Sequence, residues 1–193
     1  MRHGGNVWEG QPADWLDFSA NLRPEGTPAW VMDTMRAALS QACYYPDRAM
    51  RAARAGLALY LGVDENCVLP TAGGAAAIDL TLGVRRGAMH VQQPTFGEYA
   101  ERAKAHGRRM AANQAIQADD TVVICNPNNP TGTLLSPNDV LRMHRDVRNS
   151  GGELIVDEAF IDYCPDATVR HHVQDGLTVV GSCLLYTSDA ADE

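Results

Sequence analysis

A three-layer α/β fold, helices on both faces of a mostly parallel sheet, is the architecture the chain predicts, and three observations predict it. Val122-Val123-Ile124, Leu154-Ile155-Val156 and Val179-Val180 are short, continuous apolar runs of the kind that fill strands buried on both faces. Segments of about three turns with helical spacing of apolar residues separate them. Turn formers and glycines crowd the ends of the strands. Strands and helices alternating in this way build βαβ units, and such sheets bind ligands at the carboxyl ends of their strands.

Taken in order, Asp17-Phe18-Ser19-Ala20-Asn21 is a short extended piece entering a loop, so residues 1–26 read as an N-terminal arm. Thr27 is placed to cap a helix with Pro28 at its first position, where the missing N–H costs nothing, and the pattern continues to about Gln41. A second helix is expected from Arg48 to Leu61, stopped by Gly62. Cys67-Val68-Leu69 predicts a short strand, Gly73 to Val84 an Ala-rich helix, Ala88 to Val91 a strand and Phe96 to His106 a helix. Thr121 to Cys125 predicts a buried strand and about Pro137 to Arg148 a helix. Glu153 to Val156 and Leu177 to Val180 predict the last two strands.

Composition narrows the function. The 193 residues carry a formal charge of −8, which argues against a general nucleic-acid binder, because phosphate binding needs a basic face. No window approaches the ~20 consecutive apolar residues that span a bilayer, and the N-terminus has no signal-peptide apolar core, so no membrane partner and a cytoplasmic address are expected. Five scattered cysteines, with no C-x-x-C pair, read as free thiols rather than a zinc site.

Three strand ends carry the chemistry. Pro70-Thr71-Ala72-Gly73-Gly74-Ala75 opens a helix, and its glycines let backbone N–H groups approach an anion such as a phosphate; a tight strand-to-helix turn explains them equally well. It is neither a P-loop nor a G-x-G-x-x-G fingerprint, which sets aside a nucleotide-binding domain. Asn126-Pro127-Asn128-Asn129-Pro130-Thr131-Gly132 follows a buried strand; turn formers suit any loop, yet three amides stiffened by two prolines also suit recognition. Asp157, closing the apolar run Leu154-Ile155-Val156, is a carboxylate expected to be desolvated and to need a cationic or N–H partner.

In this order and on alternating strands, Gly73-Gly74-Ala75, Asn129-Pro130-Thr131-Gly132 and Asp157-Glu158-Ala159-Phe160 resemble the fold-type I pyridoxal-phosphate enzymes, the aspartate aminotransferase superfamily. Within it, His3-Gly4-Gly5-Asn6, Asp17-Phe18-Ser19-Ala20-Asn21 and Asp157-Glu158-Ala159-Phe160-Ile161-Asp162 are similar to the branch of histidinol-phosphate aminotransferases and threonine-phosphate decarboxylases. The likeness runs from His3 to about Ser182.

The resemblance implies a partial large domain of an aspartate-aminotransferase-like fold over residues 27–182, with pyridoxal 5'-phosphate as cofactor. It implies that Asp157 pairs with the cofactor's pyridine nitrogen, that Asn129 donates to its phenolic oxygen, and that Phe96 stacks on its ring. Gly73, Gly74, Ala75 and Ser182 would hold the phosphate, joined by Tyr45 from the neighbouring subunit, which implies a homodimer. His3, Gly4, Asn21 and Asn129 would face a small phosphorylated amino-acid substrate. Phe160, where the aminotransferases usually carry Tyr, favours decarboxylation of O-phospho-L-threonine, with histidinol-phosphate aminotransfer as the alternative. In the family the strand near residue 180 leads to Ser-x-x-Lys, which puts the Schiff-base lysine at position 185; the chain has Leu185, so no catalytic residue is assigned and the chain is expected to be inactive, at most a cofactor-binding remnant. Residues 183–193, CLLYTSDAADE, can be encoded by a transposase-based sequencing adapter and are expected to be non-native.

Overall fold

The computed structural model describes residues 21, 26–111 and 114–181. The chain divides into two compact units, one of Met1–Tyr44 with Leu185–Glu193 and one of Tyr45–Leu184.

The first unit contributes helix α1, Ala29–Ala38, which tightens into a 3₁₀ turn at Leu39–Gln41. The expected Thr27 cap does not form. The carbonyl of Pro28 accepts from Val31 and Met32 at 3.1 and 3.2 Å, so the proline is itself the capping position and the helix begins one residue later.

The second unit opens with Asp47 organising the entry to helix α2, Arg51–Leu61. Its carboxylate accepts from the N–H of Ala49 and Arg51 and grips the Arg51 guanidinium with both oxygens, at 3.0 and 3.2 Å. This replaces the earlier start predicted at Arg48. Gly62 ends the helix in the left-handed conformation, as its position predicts.

Cys67-Val68-Leu69 is not a strand. A 3₁₀ turn occupies Glu65–Cys67, capped by Asp64, and Val68 is extended but joins no ladder. Extended backbone becomes a strand only against a partner, and none of the described strands lies beside it. Leu69 accordingly stays 65% exposed.

From there the prediction holds. Helix α3 is Gly74–Val84 and strand β1 Met89–Val91. Helix α4 is Glu98–Ala105, two residues shorter at its start than expected, and strand β2 is Thr121–Cys125. Helix α5, Pro137–Asn149, begins at a Ser136 cap whose hydroxyl accepts from the Asp139 N–H; strands β3, Glu153–Asp157, and β4, Thr178–Val180, complete the set. The sheet is fully parallel in the order β1-β2-β3-β4, with Cys125, Asp157 and Val180 in register at one edge.

Alternation within the strands separates two cores. Val123, Cys125 and Ile155 pack with Ile78, Leu82, Tyr99 and Ala103 of α3 and α4 on one face. Leu154 and Val156 pack with Val140 and Val147 of α5 on the other. The connection explains why the helices divide. After α4 the chain pairs Met110 with Met89 on the outer side of β1, then crosses back to form β2 on its inner side. Winding reverses between β1 and β2, and such a reversal opens a crevice at the carboxyl ends of the two strands.

The opposite edge is tightly closed. Buried Arg108 donates to the carbonyls of Leu82, Gly87 and Ala88 and to the Thr121 hydroxyl, between 2.8 and 3.2 Å. Gly87 lies so near Asp119 that an added Cβ would come within 2.4 Å of the Asp119 carbonyl oxygen.

Candidate active site

Asp157 ends β3 at the carboxyl edge and is only 4% exposed. One of its oxygens accepts from the Tyr99 hydroxyl at 2.7 Å, the other from the Ala159 N–H at 2.9 Å. Among the described residues no cation pairs with it. Burial pushes its carboxyl above the ordinary carboxylate range, against the downward pull of the two hydrogen bonds. The side chain is therefore a desolvated acid with unused acceptor capacity, a site that a cationic N–H would satisfy.

Its neighbours stay protonated. Burial, and then the charge of Asp157, push the Tyr99 phenol far above its usual range, so Tyr99 remains a hydrogen-bond donor. The same two causes raise the Cys125 thiol, which lies 3.1 Å from the Pro127 carbonyl. Tyr99 also meets Phe96 edge to face, with centroids 5.6 Å apart and planes at 83°. One side chain thus touches both the carboxylate and the aromatic ring assigned to the site.

Glu158, next in sequence, faces other partners. It accepts from the Thr168 hydroxyl at 2.6 Å and the Val169 N–H at 2.7 Å, holding the connection that leads to β4. The Asp-Glu pair therefore divides between an acid held by Tyr99 and Ala159 at the strand end and one that anchors the connection to β4.

The three amides of the loop after β2 separate in the same way. Asn126, fully buried, exchanges hydrogen bonds with Leu135: its Nδ2 donates to the Leu135 carbonyl and its Oδ1 accepts the Leu135 N–H. Asn128 bonds to Pro94, Thr95 and Thr131. Asn129 has a side-chain amide with no hydrogen-bond partner among the described residues. Both lone pairs and both N–H groups of that amide are available to a ligand.

Helix α3 runs antiparallel to the strands. Its Leu82 carbonyl meets Arg108 beside Thr121, the first residue of β2, so the N-terminus at Gly73-Gly74-Ala75 points toward the edge that carries Asp157. Gly73 takes φ 84° and ψ 170°, a conformation open to glycine alone, and turns the chain into the helix without any side-chain cap. The first N–H groups of α3 are left facing outward, where an anion can reach them.

Of the other expected site residues, Tyr45 is wholly exposed and Asn21 is exposed in the other unit. His3, Gly4 and Ser182 lie outside the described residues. Sequence reading missed Tyr99, Thr95 and Asn128. Tyr99 had one usable signal, its place one helical turn beyond Phe96. No group of His, Cys, Asp and Glu side chains among the described residues could hold a metal ion, and no helix there is long and apolar enough to cross a membrane.

The family model for aminotransferase class I and II matches residues 13–185. A threonine-phosphate decarboxylase from Sinorhizobium sp is 35% identical over 183 residues, covering 88% of this chain and 54% of the relative. The crystal structure of L-threonine-O-3-phosphate decarboxylase from Porphyromonas gingivalis superposes with a TM-score of 0.70 at 22% identity, over 86% of this chain and 56% of that one. Histidinol-phosphate aminotransferase from Sinorhizobium meliloti, solved in complex with pyridoxal-5'-phosphate, gives 0.66 at 20% identity, over 77% and 45%. The two structures share the fold, and the chain spans about half the length of the relatives it matches.

Proposed function

The chain belongs to the aminotransferase class I and II family, and from that premise we propose that the whole protein is a cytoplasmic pyridoxal 5'-phosphate enzyme that decarboxylates O-phospho-L-threonine to (R)-1-aminopropan-2-yl phosphate, the linker used in cobalamin synthesis. The observation that carries the cofactor assignment is Asp157, a buried acid without a cationic partner at the carboxyl edge of the sheet. The 35% identity to a threonine-phosphate decarboxylase supports the substrate. Phe160 supports decarboxylation over aminotransfer, since it offers no hydroxyl where the aminotransferases of the branch usually do.

When bound, pyridoxal phosphate supplies an electron sink for the bond broken at the substrate's Cα. The chain's residues hold it in place. Asp157 would accept a hydrogen bond from the protonated ring nitrogen, and the Tyr99 hydrogen bond keeps that carboxylate oriented. Phe96 would stack on the ring, and the Asn129 amide would donate to the ring oxygen. The backbone N–H groups of Gly74 and Ala75, entered through Gly73, would meet the phosphate together with Ser182, and Tyr45 would reach the phosphate of a second copy in a homodimer. His3, Gly4, Asn21 and Asn129 would face the phosphorylated substrate.

Residues 27–182 form the corresponding part of the large domain in this reading. The 193-residue chain has Leu185 where the family's lysine is due, so no turnover is assigned to it, with a cofactor-binding remnant as the alternative reading. The test supplies the whole protein with O-phospho-L-threonine alone, or with histidinol phosphate and a keto acid. Release of carbon dioxide from the first is expected; keto-acid-dependent turnover without carbon dioxide would replace decarboxylation with aminotransfer.

A further inference from the structure

The loops that follow β1 and β2 are tied together at the point where the sheet reverses its winding. The Thr95 hydroxyl lies 2.6 Å from Asn128 Oδ1, and Asn128 Nδ2 lies 3.0 Å from the Pro94 carbonyl and 2.7 Å from Thr131 Oγ1. A carbonyl only accepts, so the amide nitrogen must face Pro94, its oxygen must face Thr95, and the Thr95 hydroxyl is the donor. Both N–H groups of Asn128 are then used.

The loop after β2 has its own internal bracing. The Asn128 N–H donates to the Thr133 carbonyl at 2.9 Å, the Gly132 N–H donates to the Asn128 carbonyl at 2.7 Å, and Thr131 and Thr133 hydroxyls pair at 2.9 Å. The Asn128 side chain adds something these bonds do not, a connection to a loop 33 and 34 residues away in sequence. Each end of that connection is adjacent to a residue assigned to the cofactor. Phe96 follows Thr95, and Asn129 follows Asn128.

We propose that Asn128 and Thr95 are positioning residues, a clasp across the crevice between β1 and β2 that fixes the stacking ring of Phe96 relative to the free amide of Asn129. The clasp rests on the pyridoxal-phosphate reading of the site. Its chemistry makes demands that a space-filling contact would not: position 95 needs a hydroxyl donor, and position 128 needs an acceptor and two donors on one planar group. Asp at 128 keeps the shape and the acceptor but sets a carboxylate oxygen against the Pro94 carbonyl. Val at 95 keeps the shape and removes the donor, whereas Ser keeps the donor.

The test titrates the whole protein and its Thr95→Val, Thr95→Ser and Asn128→Asp variants with pyridoxal phosphate, following the circular dichroism of the bound cofactor, with urea unfolding of each cofactor-free variant alongside. Thr95→Val is expected to weaken cofactor binding about fivefold, the worth of one ordinary hydrogen bond, and Asn128→Asp about tenfold or more. Thr95→Ser should stay within about twofold of wild type, and the Val and Asp changes combined should cost less than the product of the two, because they break one linked group. Unchanged affinity in Thr95→Val, even with a lowered urea midpoint, overturns the clasp and leaves only a loop tie. If Asn128→Asp does not fold, the Val and Ser pair still decides. A wild-type protein that binds no pyridoxal phosphate overturns the cofactor reading, and the clasp with it.

Discussion

Asp157 sets stability against function within one residue. Burial raises its folded-state value above that of the unfolded chain, so the cofactor-free fold binds a proton more tightly than the unfolded state does. The stability this confers is present at pH below the unfolded value and is lost as pH rises through the folded one. Asp157→Asn should therefore raise the urea midpoint of the cofactor-free protein near pH 7, by a gain on the order of 1 kcal/mol that shrinks as the pH is lowered toward 4. A variant less stable than wild type at every pH would show that the carboxylate is better satisfied than its two hydrogen bonds imply. Tyr99→Phe removes one of those bonds without changing the packing shape. A buried hydrogen bond contributes about 1 kcal/mol and more where the acceptor is charged, so this variant should lose at least about 1 kcal/mol of stability; unchanged urea unfolding would contradict the assigned bond.

At the scale of elements, what the sequence could reveal depended on whether an element is specified locally. Strands β2 and β3 were legible because Val122-Val123-Ile124 and Leu154-Ile155-Val156 are continuous apolar runs, and α5 because Ser136 and Pro137 mark its start. Cys67-Val68-Leu69 has the same apolar look and still forms no strand, since strand formation depends on a partner that the local sequence does not encode. The start of α2 slipped because Asp47 reaches forward to Arg51, a side-chain cap that propensity alone does not disclose. The turn into α3 offers a test of local specification. Gly73→Ala meets no atom within 4 Å, so its whole cost is conformational, about 1–3 kcal/mol, and should appear as a lower thermal midpoint. Gly87→Ala is a steric contrast: its Cβ would strike the Asp119 backbone, and the sheet must move to admit it. If Gly73→Ala were neutral while Gly87→Ala destabilised, the glycine-only conformation at α3 would be refuted.

Across the whole molecule, the site comes from topology as much as from motif. Asp157 and the loop that holds Asn129 stood out from their places at strand ends and Phe96 only through the family resemblance, and the parallel register carries Asp157 and the loops around Asn129 and Phe96 to one edge. The contacts that make the site work were illegible because they are long-range. Tyr99 reaches Asp157 across 58 residues, and Thr95 reaches Asn128 across 33. Of the three asparagines the resemblance singled out Asn129, but the long-range bonds that commit Asn126 and Asn128 elsewhere are visible only in the fold. The central claim is that the buried carboxylate of Asp157 exists to hold a cationic ring nitrogen. A spectroscopic titration of the whole protein and its Asp157→Asn variant with pyridoxal phosphate at neutral pH tests this most directly. Loss of a buried charge partner costs about 3–5 kcal/mol, so the variant should bind at least about a hundredfold more weakly than wild type. Equal affinity in the two proteins would contradict the claim.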